Sequence, residues 1–119
     1  MVFETQRLGI AKSGEILLRV RSEDAWKGVG GVNQDPYVKN ESIGRLRHLY
    51  VMPGYRRNGI GAALVVELTR RAKNHFRELR LRTHESAASE FYISQGFKYV
   101  SDGLSFTHRR WFGLVNDGT

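Results

Sequence analysis

No cysteine occurs among the 119 residues. Disulfides, thiolate zinc sites and a cysteine nucleophile are therefore excluded, and any chemistry must run on hydroxyl, carboxylate, imidazole or main-chain groups. Missing too is any apolar run near the roughly 18 residues that cross a bilayer, and the N-terminus carries no signal-peptide pattern. These absences predict a cytoplasmic protein that does not engage membranes. Repeats, low-complexity tracts and linker-like stretches are also lacking, so residues 1–119 are expected to form one domain. With 40% hydrophobic residues, the chain can bury a single modest core. His75 and His108 have no partner that spacing identifies, and imidazoles so scattered predict no metal site.

Acidic residues are scarce where basic ones crowd. From Arg45 to Arg82, ten lysines and arginines face only Glu67 and Glu78, a local excess of +8 in a chain whose total is +7. A basic excess confined to one segment suits a polyphosphate ligand, although Arg70, Arg71, Lys73 and Arg77 read equally well as the solvated face of a helix. No aromatic residues alternate with the basic ones in the manner of a stacking platform. That argues against a nucleic-acid partner despite a pI near 10.1.

The hydrophobic pattern predicts short strands interrupted by two helices, an α/β chain with a mixed sheet. Glu15 to Arg21 and Trp26 to Asn33 read as strands joined by the turn Ser22-Glu23-Asp24, and Val2 to Ala11 can supply a short strand at most. After a polar loop, Ile43 to Val51 is a strand that Pro53-Gly54 stops. Ile60, Leu64, Leu68, Ala72 and Phe76 recur every fourth residue, an apolar helical stripe. Leu79 to Thr83 alternates as a strand. Ser86 reads as the N-cap of a second helix that presents Ala88, Phe91 and Tyr92 on one face and stops at Gly96. Phe97 to Val100 and Phe106 to Phe112 complete the set around the turn Ser101-Asp102-Gly103.

Between the third of these strands and the first helix lies Val51-Met-Pro-Gly-Tyr-Arg56-Arg57-Asn58-Gly59-Ile60-Gly61. The first N–H groups of a helix lack intrahelical partners and sit at the positive end of its dipole. A glycine-rich entrance that lets a ligand approach them is a phosphate cradle, and Arg56 and Arg57 add charge.

Two segments in this order resemble hallmarks of the GNAT superfamily of N-acetyltransferases. Arg56-Arg57-Asn58-Gly59-Ile60-Gly61 matches its acetyl-CoA signature, an Arg or Gln, two residues, Gly, any residue, then Gly or Ala. Ala88-Ser-Glu-Phe91-Tyr92-Ile-Ser-Gln-Gly96-Phe97 is similar to its second hallmark, a helix carrying Phe-Tyr and ending in Gly-Phe. The resemblance covers Trp26 to about Phe112 and implies a mostly antiparallel mixed sheet with two main helices. It implies acetyl-CoA as co-substrate, no metal, and transfer of the acetyl group to a primary amine by direct attack in a ternary complex. The acceptor would be a small-molecule or protein amine.

Carried over residue by residue, the resemblance gives Arg56, Arg57, Asn58, Gly59, Ile60, Gly61 and Ala62 the pyrophosphate. It gives Leu49, Tyr50 and Val51 the pantetheine arm by strand-like pairing, and the Val51 N–H polarisation of the thioester carbonyl. Tyr92 would touch the cofactor and protonate the departing thiolate. By the residues alone, Tyr92 reads first as a core aromatic with a satisfied hydroxyl. Seven residues before it the family usually has Asn, and here stands Glu85, which leaves Glu85 and the neighbouring His84 as candidate bases at the acceptor. Arg45 and Arg47 share strand parity and are expected on the cleft face, where two guanidinium groups favour an acidic acceptor; the alternative is that they lie on solvent or bind phosphate. His48 has the opposite parity unless a bulge intervenes and is expected to be a structural histidine.

The chain departs most from the family before Glu15, where members spend a first strand and two helices that wall the acceptor site. That shortening predicts a homodimer whose second copy completes the cleft. Two other readings stay open: a CoA-binding module without turnover, and an RNA-directed acetyltransferase.

Overall fold

The computed structural model describes residues 1–5, 14–101 and 105–113. Its strands are β1 (Val2–Thr5), β2 (Ile16–Ser22), β3 (Ala25–Gln34), β4 (Ile43–Val51), β5 (Glu78–Leu81), β6 (Lys98–Tyr99) and β7 (His108–Trp111). The two α-helices are α1 (Ile60–Ala72) and α2 (Ser86–Ser94). One seven-stranded sheet runs in the order β1-β2-β3-β4-β5-β7-β6, antiparallel except between β4 and β5. This is the mixed, mostly antiparallel α/β fold that the resemblance implies.

The β2–β3 hairpin turns where expected, with Glu23 and Asp24 both at positive φ, 52° and 64°, the backbone that matches the right-handed twist of the strands it joins. The first strand is present but has four residues. Only residues 6–15 separate it from β2, where the resemblance places two helices. The remainder of the expected Val2 to Ala11 segment, and Asp102 and Gly103 of the last predicted turn, lie outside the described residues.

Along α1, Leu64, Leu68 and Ala72 are fully buried against Leu18, Val20, Val32 and Leu46 of the sheet. Burial of such aliphatic groups contributes about 1.5–3 kcal/mol each and fixes the helix to one face of the sheet. The stripe outlasts the helix. Phe76 is 2% exposed yet sits beyond α1 in a turn, because the Arg77 and Glu78 N–H groups are already committed to the Ser42 carbonyl and pull the chain into β5. Gly44 makes room for its ring: a Cβ there would stand 2.8 Å from Phe76.

β4 changes face partway. Gly31 pairs with Arg47 and Val29 with Tyr50, so His48 and Leu49 stand together opposite Gly30. His48, at φ 59°, is the bulged residue. Before the bulge Leu46 faces α1 while Arg45 and Arg47 face away; after it, Leu49 and Val51 pack on the core. His48 is accordingly exposed rather than the satisfied structural histidine that parity predicts.

A parted-strand groove beside a glycine-entered helix

β4 and β5 are paired only from Ile43 to Arg45 against Glu78 to Arg80, and then separate. A groove of about 450 Å³ opens between them. Its walls are Arg45 to Leu49 of β4 on one side, and Leu81 to Thr83 with Glu85, Ala88 and Tyr92 of α2 on the other. At the far end of β4, the Met52 N–H bonds the Lys27 carbonyl at 2.8 Å, on the β3 side. Strand alternation therefore turns the N–H and C=O of Val51 into the gap. Arg56 Nε donates to that carbonyl at 3.0 Å, and the guanidinium lies 5.3 Å from the Tyr50 ring centre. The Val51 N–H is left facing the gap.

The α1 entrance is built from main chain. Arg57 and Gly59 are left-handed, φ 68° and 78°, and Gly59 is the N-cap, with no side-chain capping bond. The first intrahelical bond is Ala63 N–H to the Gly59 carbonyl, so the N–H groups of Ile60, Gly61 and Ala62 have no intrahelical acceptor. The first turn holds no acidic residue, and a Cβ built on Gly59 would meet nothing within 4 Å among the described residues. Uncapped donors, no carboxylate and open space are the properties a pyrophosphate requires. The residues present fit the phosphate end of CoA. Gly61 links this cradle to the groove, its Cβ position lying 3.6 Å from both Val51 and Phe91.

On α2, Tyr92 packs edge-on against Phe91 and Phe97, with ring centres 5.2 and 5.8 Å away. Burial raises its phenol pKa above the ordinary 10.0, so the hydroxyl stays protonated near neutral pH. The helix begins one residue earlier than expected: Glu85, not Ser86, is the N-cap, and it makes no side-chain capping bond. Glu85 forms no ion pair among the described residues.

The other expected site residues separate. Arg45 is 7% exposed and faces Asp35, whose carboxylate oxygen is 3.4 Å from Nη1; Arg45 Nη2 also donates to the Ser105 carbonyl at 2.8 Å, and Tyr37 stacks against the guanidinium. Its charge is matched within the fold. Arg47 has no acidic partner among the described residues. His84 receives an Arg82 N–H at 3.2 Å and lines a second groove of about 530 Å³ on the other side of α2, so it is not brought beside Arg45 and Arg47. That second groove meets a chain invisible to sequence reading. Ser89 Oγ lies 2.8 Å from His108 Nε2, and Thr107 Oγ1 lies 2.8 Å from Nδ1 while accepting the Thr83 N–H. Burial holds the His108 pKa below its usual 6.5. Of the groove residues missed in the sequence, Ala88 was legible as the residue four before Tyr92, while Tyr37 and His48 had no signal short of the bulge and the loop fold.

Residues 6–99 match the family model for the acetyltransferase (GNAT) domain. Among solved structures, a protein assigned as an acetyltransferase from Exiguobacterium sp. 255-15 is 29% identical with a TM-score of 0.74, over 84% of this chain and 64% of that one. The PaiA N-acetyltransferase of Thermoplasma acidophilum, solved in complex with coenzyme A, is 25% identical with a TM-score of 0.65, over 80% and 59%. A GNAT-family protein of Desulfovibrio desulfuricans shares the fold at 16% identity and a TM-score of 0.76, over 93% of this chain and 98% of its own. This chain thus spans less than two thirds of the Exiguobacterium and Thermoplasma proteins. No curated protein matches at significant similarity. The chain belongs to the GNAT acetyltransferase family, whose shared activity is acyl-CoA-dependent N-acetyl transfer.

Proposed function

We infer that this chain is an acetyl-CoA-dependent N-acetyltransferase, one domain acting in the cytoplasm, that acetylates a primary amine by direct attack in a ternary complex. The observation that carries the reading is the junction of an uncapped, glycine-entered helix with a parted β4–β5 pair. The N–H groups of Ile60, Gly61 and Ala62, with Arg57 beside them, bind the pyrophosphate, and Gly59 lets it approach. Leu49 to Val51 align the pantetheine arm along the freed strand edge. The Val51 N–H points to the thioester oxygen, where negative charge develops. As the amine nitrogen bonds the acetyl carbon, the carbon–sulfur bond breaks; Tyr92 donates its proton to the sulfur, and Glu85, seven residues before it on the same wall, takes one from the nitrogen. In this reading a second copy of the chain walls the acceptor side of the gap.

Calorimetric titration with CoA tests the cofactor half. Gly59→Val places a branched side chain in the open cradle, and affinity is expected to fall on the order of 10²-fold as charge-assisted donors lose their ligand. The left-handed backbone costs a non-glycine residue about 1–2 kcal/mol, so the variant's melting curve is recorded beside it. Wild-type CoA affinity in a folded Gly59→Val protein would remove the assignment. CoA binding with no thiol release from acetyl-CoA under any amine would leave a binding module in place of an enzyme.

A further inference from the structure

Arg45 and Arg47 are neighbours on one face of β4, yet among the described residues only one of them has its charge answered. Arg45 is held by Asp35 and the Ser105 carbonyl. Arg47 lines the groove with its Nε buried and, among the described residues, without a hydrogen-bond partner. A buried donor left unpaired costs about 1–3 kcal/mol, so a native protein has a reason for tolerating one, and a ligand that supplies the missing acceptor is a direct one. The same face carries two more such atoms, Arg19 Nε and Asn33 Oδ1, on β2 and β3. Arg19 is covered by the Trp26 ring at 3.8 Å. Among the described residues no aromatic ring covers Arg47, whose side chain lines the groove.

The side on which Arg47 lies matters. Gly31 pairs with Arg47 and Val32 with Leu46, and Leu46 is in the core beneath α1, so the Arg47 side chain projects from the opposite face of the sheet. The phosphate cradle is on the α1 face. Because β4 and β5 have parted, the groove is reached from both faces: a CoA thioester arrives from one, and Arg47 meets whatever arrives from the other. Across the groove stands Glu85, also without an ion pair among the described residues. One wall thus offers a guanidinium and the other a carboxylate.

We propose that the acetyl acceptor is an amine that also bears a carboxylate, and that Arg47 binds the carboxylate and so sets acceptor specificity. The proposal rests on the acetyltransferase reading above. A guanidinium takes a carboxylate through two parallel N–H bonds, and Nε with one terminal nitrogen is one of the two edges that do so. Anchored there, the acceptor directs its amine toward the Glu85 wall and the end of the thioester arm. A purely cationic acceptor, a polyamine for instance, would leave Arg47 unpaired and add like charge beside it.

The test uses matched acceptors: L-aspartate, L-glutamate and β-alanine, each against the corresponding carboxamide, with kcat/KM expressed per unprotonated amine. The acids are expected to exceed their amides by about tenfold to a hundredfold, the worth of a hydrogen bond to a charged group. In Arg47→Gln the ratio is expected to fall to about one, and in Arg47→Lys to recover in part, while CoA affinity measured by calorimetry stays at the wild-type value in both. Binding of the same acids to the CoA-loaded protein is measured as well. Affinity that depends on Arg47 supports carboxylate recognition even where turnover is slow. Equal kcat/KM within each pair, with no Arg47-dependent binding, overturns the proposal and leaves the acetyltransferase reading intact. Failure to bind CoA at all overturns that reading instead.

Discussion

The two walls of the groove are made in different ways. The β4 wall is an inner strand, laddered to β3 along its length, and what it offers a ligand is mostly main chain: the Val51 N–H and, just beyond, the uncapped start of α1. The α2 wall has no fully buried residue of its own. It is held by rings, Phe91 and Tyr92 against Phe97, and by the Ser89–His108–Thr107 chain that ties it to β7 and the end of β5. A wall fixed by backbone ladders is damaged by added atoms or by loss of what joins it to its surroundings. A wall fixed by side chains is damaged by removing them or changing their charge.

The largest expected effect would break that contrast, because it is a single side chain of the β4 wall. Arg45→Ala removes the partner of Asp35, whose side chain is fully buried, and releases the Ser105 carbonyl. Breaking a buried pair from one side costs about 3–5 kcal/mol, so chemical denaturation should show a severe loss of stability. A loss below about 1 kcal/mol would mean that water already screens the pair. Arg47→Gln, two residues away on the same face, serves as the control with little expected change.

Tyr92→Phe sharpens the contrast on the other wall. The ring and its contacts with Phe91 and Phe97 are kept, so melting temperature and CoA affinity should hold, while acetyl transfer falls about 10²-fold with loss of the proton donor. Slow acetyl-CoA hydrolysis can report this before an acceptor is known. A wild-type rate would make Tyr92 a packing residue and nothing more.

The smallest effect concerns pH. Burial lowers the His108 pKa in the folded state, whereas the unfolded chain takes up the proton near 6.5. Stability is therefore full above pH 6.5 and declines as pH falls below it toward the folded value, with a slope of at most about 1.4 kcal/mol per pH unit for one proton. His108→Gln should flatten that part of the profile in denaturation experiments at a series of pH values. Identical profiles would show that other groups set the acid limb.

Much of this was legible beforehand, and the reason is periodicity. Ile60, Leu64, Leu68 and Ala72 repeat at helical spacing, β2 alternates, and glycine and proline mark the turns, so nearly every element lies within a few residues of its expected place. The cradle was legible because its glycines work through local backbone geometry: the left-handed φ at Gly59 is a property of a few consecutive residues. The end of α1 was not, because the Phe76 side chain continues the stripe while the Ser42 carbonyl, far away in sequence, captures the N–H groups that follow. His48 was misjudged for a similar reason, since a bulge is a relation between two strands and leaves no mark on one of them.

By itself, then, the amino-acid sequence determined the family, the two helices, and a glycine-entered helix start with free N–H groups, because each depends on residues close together along the chain. Only the tertiary structure decided which charges are free. Arg45 and Arg47 are identical side chains at equivalent strand parity, and nothing local separates them. Asp35, ten residues before Arg45, and the Ser105 carbonyl, sixty after, answer the first and leave the second open to the groove. Charge compensation acts through space between groups that folding brings together, and no local pattern along the chain records it.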